Sequence, residues 1–231
     1  MELGRGEPNY FLLGSLRFSH RCRWQYGYWC KQNNWETGTR VPLIISAPWL
    51  PASHGRVERS LVESTDLLPT LVELAGLPPA LPTAGGPPID GSSMARFLAP
   101  GGESAGWKDA AFSQFPRCHN RTKFRPIDVF CVGVESVDFE FMGLAIRVDG
   151  WRQIEWYEWC ATAPCWDRLN ATELYEQSEE GDRHFELLDP RNRAGEQGPV
   201  GETQAKLHGR ILQAFKSRDY PKPPRWVRPE E

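Results

Sequence analysis

The sequence predicts an α/β protein in two parts: the end of an α/β layer, then a small antiparallel sheet with a terminal helix. Three stretches lead there. Residues 41–47, VPLIISA, are continuously apolar and β-branched, with Pro42 near the start and Pro48 after. That is the pattern of a strand buried on both faces of a helix-covered sheet. Downstream, STDLLPTLVELAGLPP reads as a capped helix, and a buried strand feeding a helix is α/β architecture. Further on, EFMGLAIRVDGWRQIEWYEW places two β-rich runs around Asp149-Gly150, a hairpin signal.

Each element has its own reason. In the helical stretch Ser64, Thr65 or Asp66 supplies the cap, and Pro69 is tolerated only in the first turn. Leu67, Leu71 and Leu74 recur at helical spacing, and Gly76 followed by Pro78 ends the helix. Residues 78–91 form a Pro/Gly loop, Ser92 to Ala99 a short helix, and APGGESAG a second loop. Ala110 to Phe115 and Glu173 to Tyr175 read as short strands. Glu202 to Lys216 reads as a terminal helix with Leu207, Ile211 and Leu212 on one face. The tail after Tyr220 is Pro-rich and reads as loose, and no internal repeat is present.

Composition excludes some classes. A net charge of −3 over 231 residues implies no general attraction to nucleic acid or to an anionic membrane. No apolar run approaches the roughly 18 residues of a bilayer span. The apolar patch from Tyr10 to Leu16, preceded by Glu2 and Glu7, makes a poor signal peptide. The 10 tryptophans serve packing first, with stacking on sugar rings as the alternative.

The cysteines point to an oxidising compartment. Cys118 and Cys131 bracket a loop, and Cys160 and Cys165 a tighter one, so both pairs can close locally. Free buried thiols are the alternative; neither pair has zinc-knuckle spacing, and no histidine cluster accompanies them. Two sequons, at Asn120 and Asn170, lie beside these cysteines and agree with a lysosomal or secreted setting.

Lys31 stands between Trp29 and Trp35, and the run Lys-x-x-x-Trp-Glu-x-Gly-x-Arg-Val-Pro-Leu-Ile from Lys31 to Ile44 resembles the second signature of the sulfatases. These belong to the alkaline-phosphatase-like superfamily. VESTDLLPTLVELAGLP, DGSSMARFL, FSQFPRC, FMGLAIRVDGWRQIEW and TELYEQ resemble, in order, the C-terminal half of the iduronate-2-sulfatase branch. The resemblance covers roughly residues 24–217. It implies hydrolysis of sulfate esters on sulfated sugars, as in glycosaminoglycan degradation, by a calcium-dependent enzyme with a formylglycine nucleophile. It makes Lys31 the catalytic residue that contacts the sulfate ester. A preorganised ammonium there would stabilise the charge developing on the leaving oxygen. Trp29 and Trp35 would pack over the lysine stem, with substrate contact as a secondary role. Glu36 and Arg40, four apart, would pair and fix the loop.

The same comparison shows what this chain lacks. No Cys-x-Pro-Ser-Arg or Ser-x-Pro-Ser-Arg string is present, nor are the paired acidic residues that hold calcium. The expectation is a C-terminal sulfatase fragment, inactive alone, with no metal ligands of its own and the missing N-terminal catalytic half as a partner. Its parts would be an unassigned segment at 1–23, the end of the catalytic α/β domain at 24–110, a C-terminal α+β subdomain at 111–220 and a loose tail at 221–231. The alternative is a non-catalytic module that binds sulfated glycan or complements an enzyme, with Trp151, Trp156, Trp159 and Trp166 as a stacking surface.

Overall fold

The computed structural model describes residues 12–15, 33–78, 90–102, 104–118, 131, 134–177 and 192–216. The chain divides into two compact units, one of Met1–Phe18 with Val41–Ala111 and one of Ser19–Arg40 with Phe112–Glu231.

In the first unit, β1 (Leu12–Ser15) pairs antiparallel with β2 (Leu43–Ser46), from Leu12 opposite Ser46 to Ser15 opposite Leu43. The apolar run therefore does form a strand, but not one buried on both faces. Its sheet has two strands, and Ile44 is 54% exposed. An apolar run sets the capacity for burial; neighbouring layers have to supply it. The residues before Leu16 that read as a poor signal peptide contribute β1.

A 3₁₀ turn at Ser64–Asp66 leads into α2 (Leu67–Leu74). The helix ends as Gly76 and Pro78 predict. The Leu77 amide donates to the Val72 carbonyl at 3.1 Å and the Gly76 amide to the Glu73 carbonyl at 3.0 Å, the bond pair of a Schellman cap. Of the three capping candidates, Asp66 stands at the N-cap of α2, but its side chain makes no bond to that helix and serves the preceding 3₁₀ turn instead. Its fully buried carboxylate accepts from the Glu63 amide at 2.7 Å and the Ser92 amide at 2.8 Å, and pairs with Lys108 Nζ at 2.6 Å. Thr70 donates to the Asp66 carbonyl at 2.5 Å and accepts from the Met94 amide at 2.8 Å, which ties α2 to the segment before α3 (Ala95–Leu98). Phe97 packs edge-on against Trp107, whose indole N–H donates to the Leu61 carbonyl at 2.8 Å.

The second unit is a four-stranded sheet in the order β3 (Ala110–Arg117), β4 (Phe141–Val148), β5 (Trp151–Cys160), β6 (Ala163–Glu176). The Asp149-Gly150 turn closes the β4–β5 hairpin, with Gly150 at φ 72°, a left-handed conformation in which glycine has no steric penalty. β6 is far longer than the strand expected at Glu173–Tyr175; it is the edge strand, and its middle, from Asp167 to Ala171, is exposed. Alternation of apolar residues does not mark such a strand. β5 and β6 are antiparallel, with bulges where the register shifts. α4 (Pro199–Lys216) opens three residues before the expected start, on a proline suited to the first helical position, and buries Leu207 and Ile211. Disulfides join Cys118 to Cys131 and Cys160 to Cys165.

Replacing Asp66 by alanine takes the acceptor from the part-buried Glu63 and Ser92 amides and leaves Lys108 with Glu63 as its partner at 2.6 Å, which is expected to destabilise the fold by about 1–2 kcal/mol. Urea denaturation followed by circular dichroism measures this; an unchanged midpoint would show that Asp66 is dispensable.

Candidate functional site

Lys31, Trp29 and Asn120 lie outside the described residues; the structure begins to speak for this segment at Asn33. From there it is held with unusual density. Cross-strand partners share a face, so Arg147, Arg152 and Tyr175 lie in one row, Ala145, Ile154 and Glu173 in the next, and Gly143, Trp156 and Ala171 in a third. Residues 33–40 cover this face.

Three consecutive side chains reach it. Asn34 donates through Nδ2 to the Gly143 carbonyl on β4 at 2.8 Å and accepts from the Ser113 hydroxyl on β3 at 3.1 Å. Trp35, buried against Ala145, Ile154 and Tyr175, donates its indole N–H to Glu173 Oε2 on β6 at 2.7 Å. Glu36 pairs with Arg152 on β5 through Oε2 and lies 3.4 Å from Arg147 Nε. Arg152 also donates from Nη1 to the Asn34 carbonyl at 2.8 Å, so one guanidinium grips the segment at two points. Glu173 is a second hub, accepting from Trp156 Nε1 at 2.6 Å and the Tyr175 hydroxyl at 2.6 Å as well as from Trp35.

The expected Glu36–Arg40 pair forms at 3.6 Å across the single helical turn α1 (Glu36–Thr39). It is the weakest of the carboxylate's three contacts, since Arg40 is half exposed while Arg152 is buried. Burial lowers the Arg147 pKa, with Glu36 opposing the shift. Gly143 allows the close approach: a Cβ there would lie 2.7 Å from the Trp156 ring and 2.8 Å from Asn34 Nδ2.

Sequence reasoning missed Asn34, Arg147, Arg152 and Glu173. One signal was available in RQIEWYEW, where Arg152, Gln153 and Glu155 put polar groups on both faces of a central strand. Such groups require buried partners. Trp35 belongs to the core of this unit. The four hairpin tryptophans are likewise engaged. Arg117 lies 5.1 Å from the Trp156 ring, Arg193 5.5 Å from Trp151, Phe139 5.9 Å from Trp159, and Tyr157 5.3 Å from Trp166. Asn170 is exposed and falls at a β6 bulge, between Leu169 opposite Tyr157 and Ala171 opposite Trp156. Among the described residues no group of three or more His, Cys, Asp or Glu could hold a metal ion.

No protein-family model and no curated protein matches the sequence. Solved structures do. A phosphonate monoester hydrolase from Silicibacter pomeroyi matches 80% of this chain at 24% identity and a TM-score of 0.52. A phosphonate monoester hydrolase from Agrobacterium radiobacter matches 75% at 23% identity and a TM-score of 0.45. The chain spans 30% of the length of the first and 28% of the second. Phosphonate monoester hydrolases belong to the alkaline-phosphatase-like superfamily, which includes the sulfatases. The fold is therefore the end of an alkaline-phosphatase-like α/β layer followed by an antiparallel sheet and a terminal helix.

Glu36→Gln keeps the side-chain shape and leaves Arg152 buried without a counter-charge, which is expected to cost about 3–5 kcal/mol. Arg40→Gln, at an exposed position, should cost less than about 1 kcal/mol. Urea midpoints of the two variants test this ranking; equal effects would show that Glu36 works mainly through Arg40.

Proposed function

We propose that this chain is the C-terminal part of a sulfatase, contributing Lys31 to the hydrolysis of sulfate esters on sulfated sugars in an iduronate-2-sulfatase-like enzyme. The observation that carries the reading is the Lys31–Ile44 signature, whose Asn34, Trp35 and Glu36 each bond to the sheet. A group that stabilises charge in a transition state gains by being held in place beforehand, and a segment fastened to the sheet from Asn34, three residues after Lys31, meets that need. The hydrolase neighbour supports the superfamily through fold alone. Sulfate rather than phosphonate follows from the signature.

In this reading Lys31 contacts the ester and stabilises the leaving oxygen, while Trp29 lies beside it. Arg152, Glu36 and Glu173 fix the segment and touch no substrate. The nucleophile and the calcium come from the N-terminal catalytic half, which is the partner. The two disulfides and the exposed sequon at Asn170 support a lysosomal or secreted glycoprotein.

The chain alone is expected to show no turnover of an aryl sulfate with calcium present, since it lacks the nucleophile and the metal carboxylates. Turnover above that of a Lys31→Ala control would overturn the fragment reading.

Combined with a catalytic half, the chain should support sulfate-ester hydrolysis. Lys31→Ala should then lower kcat about a hundredfold, with little change in KM or melting temperature. Lys31→Arg should rescue little, because a planar guanidinium cannot take the place of a compact ammonium. Near-normal turnover in a folded Lys31→Ala complex would reduce Lys31 to an ordinary loop lysine.

A further inference from the structure

The opposite face of the sheet carries polar chemistry that the proposed function does not use. There Glu155 lies on β5 between Leu144 and Thr172, 1% exposed, beneath α4. Gln153 Nε2 donates to its Oε1 at 2.6 Å and the Tyr157 hydroxyl donates to its Oε2 at 2.7 Å. Burial and the adjacent Glu155 push the Tyr157 phenol well above its usual range, so it keeps its proton. The third partner is His208 on α4, whose Nδ1 lies 3.0 Å from Oε1 and 3.1 Å from Oε2.

With Gln153 and Tyr157 both donating, the carboxylate has acceptor lone pairs left to offer. Of the two neutral tautomers, the one that donates to this carboxylate has its hydrogen on Nδ1 and its lone pair on Nε2. A buried carboxylate that sets the tautomer of a histidine in this way leaves the far nitrogen available to a ligand. His208 itself is 43% exposed and lines a cleft of about 640 Å³. That cleft also presents Glu202, Gln197, Gln204 and Thr172. Its volume is that of a small-ligand site.

We infer that this cleft is a second binding site, for a donor-rich, uncharged or cationic sugar unit of the amino-sugar class, held through His208 Nε2 and Glu202. Amid apolar and amide surface, the exposed charged groups of the lining are carboxylates, Glu202 and Glu196, the latter shared with Arg193 at 2.8 Å, and the neutral imidazole adds Nε2 as an acceptor. Hydroxyl and ammonium groups complement such a surface, whereas a sulfate ester would face carboxylates across it. The site therefore selects against the anionic group that Lys31 is proposed to bind, and it lies on the other face of the sheet. A glycan that carries sulfate on one residue and a free amine on another suits both. The inference stands on the geometry of the cleft and survives failure of the sulfatase reading.

The test is long-range ¹H–¹⁵N NMR of the full chain, with every histidine labelled, at a pH where His208 is neutral. Resonances are assigned by comparison with His208→Ala, and glucose, glucosamine and glucosamine 6-sulfate are added in turn. The free chain should show Nδ1 protonated and Nε2 unprotonated. Glucosamine should shift the Nε2 resonance saturably, glucose more weakly and the sulfate ester least. Losing one hydrogen bond should weaken glucosamine binding about tenfold in His208→Ala. Glu202→Gln, outside the buried network, should weaken it by a similar factor while leaving glucose unaffected. A proton on Nε2 in the free chain would overturn the inference. So would no shift with any of the three sugars, or binding that both substitutions leave intact.

Discussion

A single carboxylate, Glu36, decides whether residues 33–40 can lie on the sheet at all. Three guanidinium groups converge on it, and the most buried of them, Arg152, would otherwise be a charge sealed between a loop and a sheet. Desolvating either ion alone costs several kcal/mol, so neither is tolerable without the other. Such a pair adds little net stability compared with apolar residues of the same volume. Its effect is on register, because a charge that must meet its partner admits one placement of the segment where oily contacts would admit several. Asn34 and Trp35 then fall opposite Gly143 and Glu173, and the glycine removes the only side chain that would block the approach.

How much of this was legible in the sequence follows from what each residue reports locally. The hairpin was readable because Asp149-Gly150 makes a turn signal that needs no tertiary context. The helix at 67–74 was readable because its leucine spacing and its glycine stop lie within the segment. β6 was largely hidden: an edge strand with Asp167, Arg168 and Asn170 facing water carries no apolar alternation. The segment after Lys31 was half readable. Glu36 and Arg40 announced themselves by their spacing, whereas Arg152 sits 116 residues away and no local pattern connects them. Glu173 was hidden in part: Tyr175 lies two residues along the same strand, but Trp156 and Trp35 reach it from 17 and 138 residues away.

The two units differ in how well they satisfy their own sequences. In the second, β4 buries five consecutive residues from Met142 to Ile146. In the first, α2 has aliphatic side chains at five of its eight positions, yet its one fully buried residue is Thr70. β2 shows the same mismatch, and six of the eight large apolar side chains left exposed among the described residues belong to this unit. A helix and a strand that are apolar on more than one side are built for an interior. The solved chain that matches this fold is well over twice as long.

The bulge at Asn170 works like a vernier between two scales. Before it, β6 is phased so that Leu169 falls on the α4 side of the sheet; after it, Ala171 faces the other way. The stretch around Leu169 is thus out of phase with the Glu173 hub, and a second register shift, between Tyr157 and Trp159, returns the disulfide-closed tip to the hub's phase, with Trp159 opposite Pro164. Losing that residue would not shorten the strand so much as invert half of it, carrying Leu169 and its neighbours through the sheet plane. An insertion or deletion at this position would therefore re-aim the residues around Leu169 while leaving the end that holds Trp35 in place.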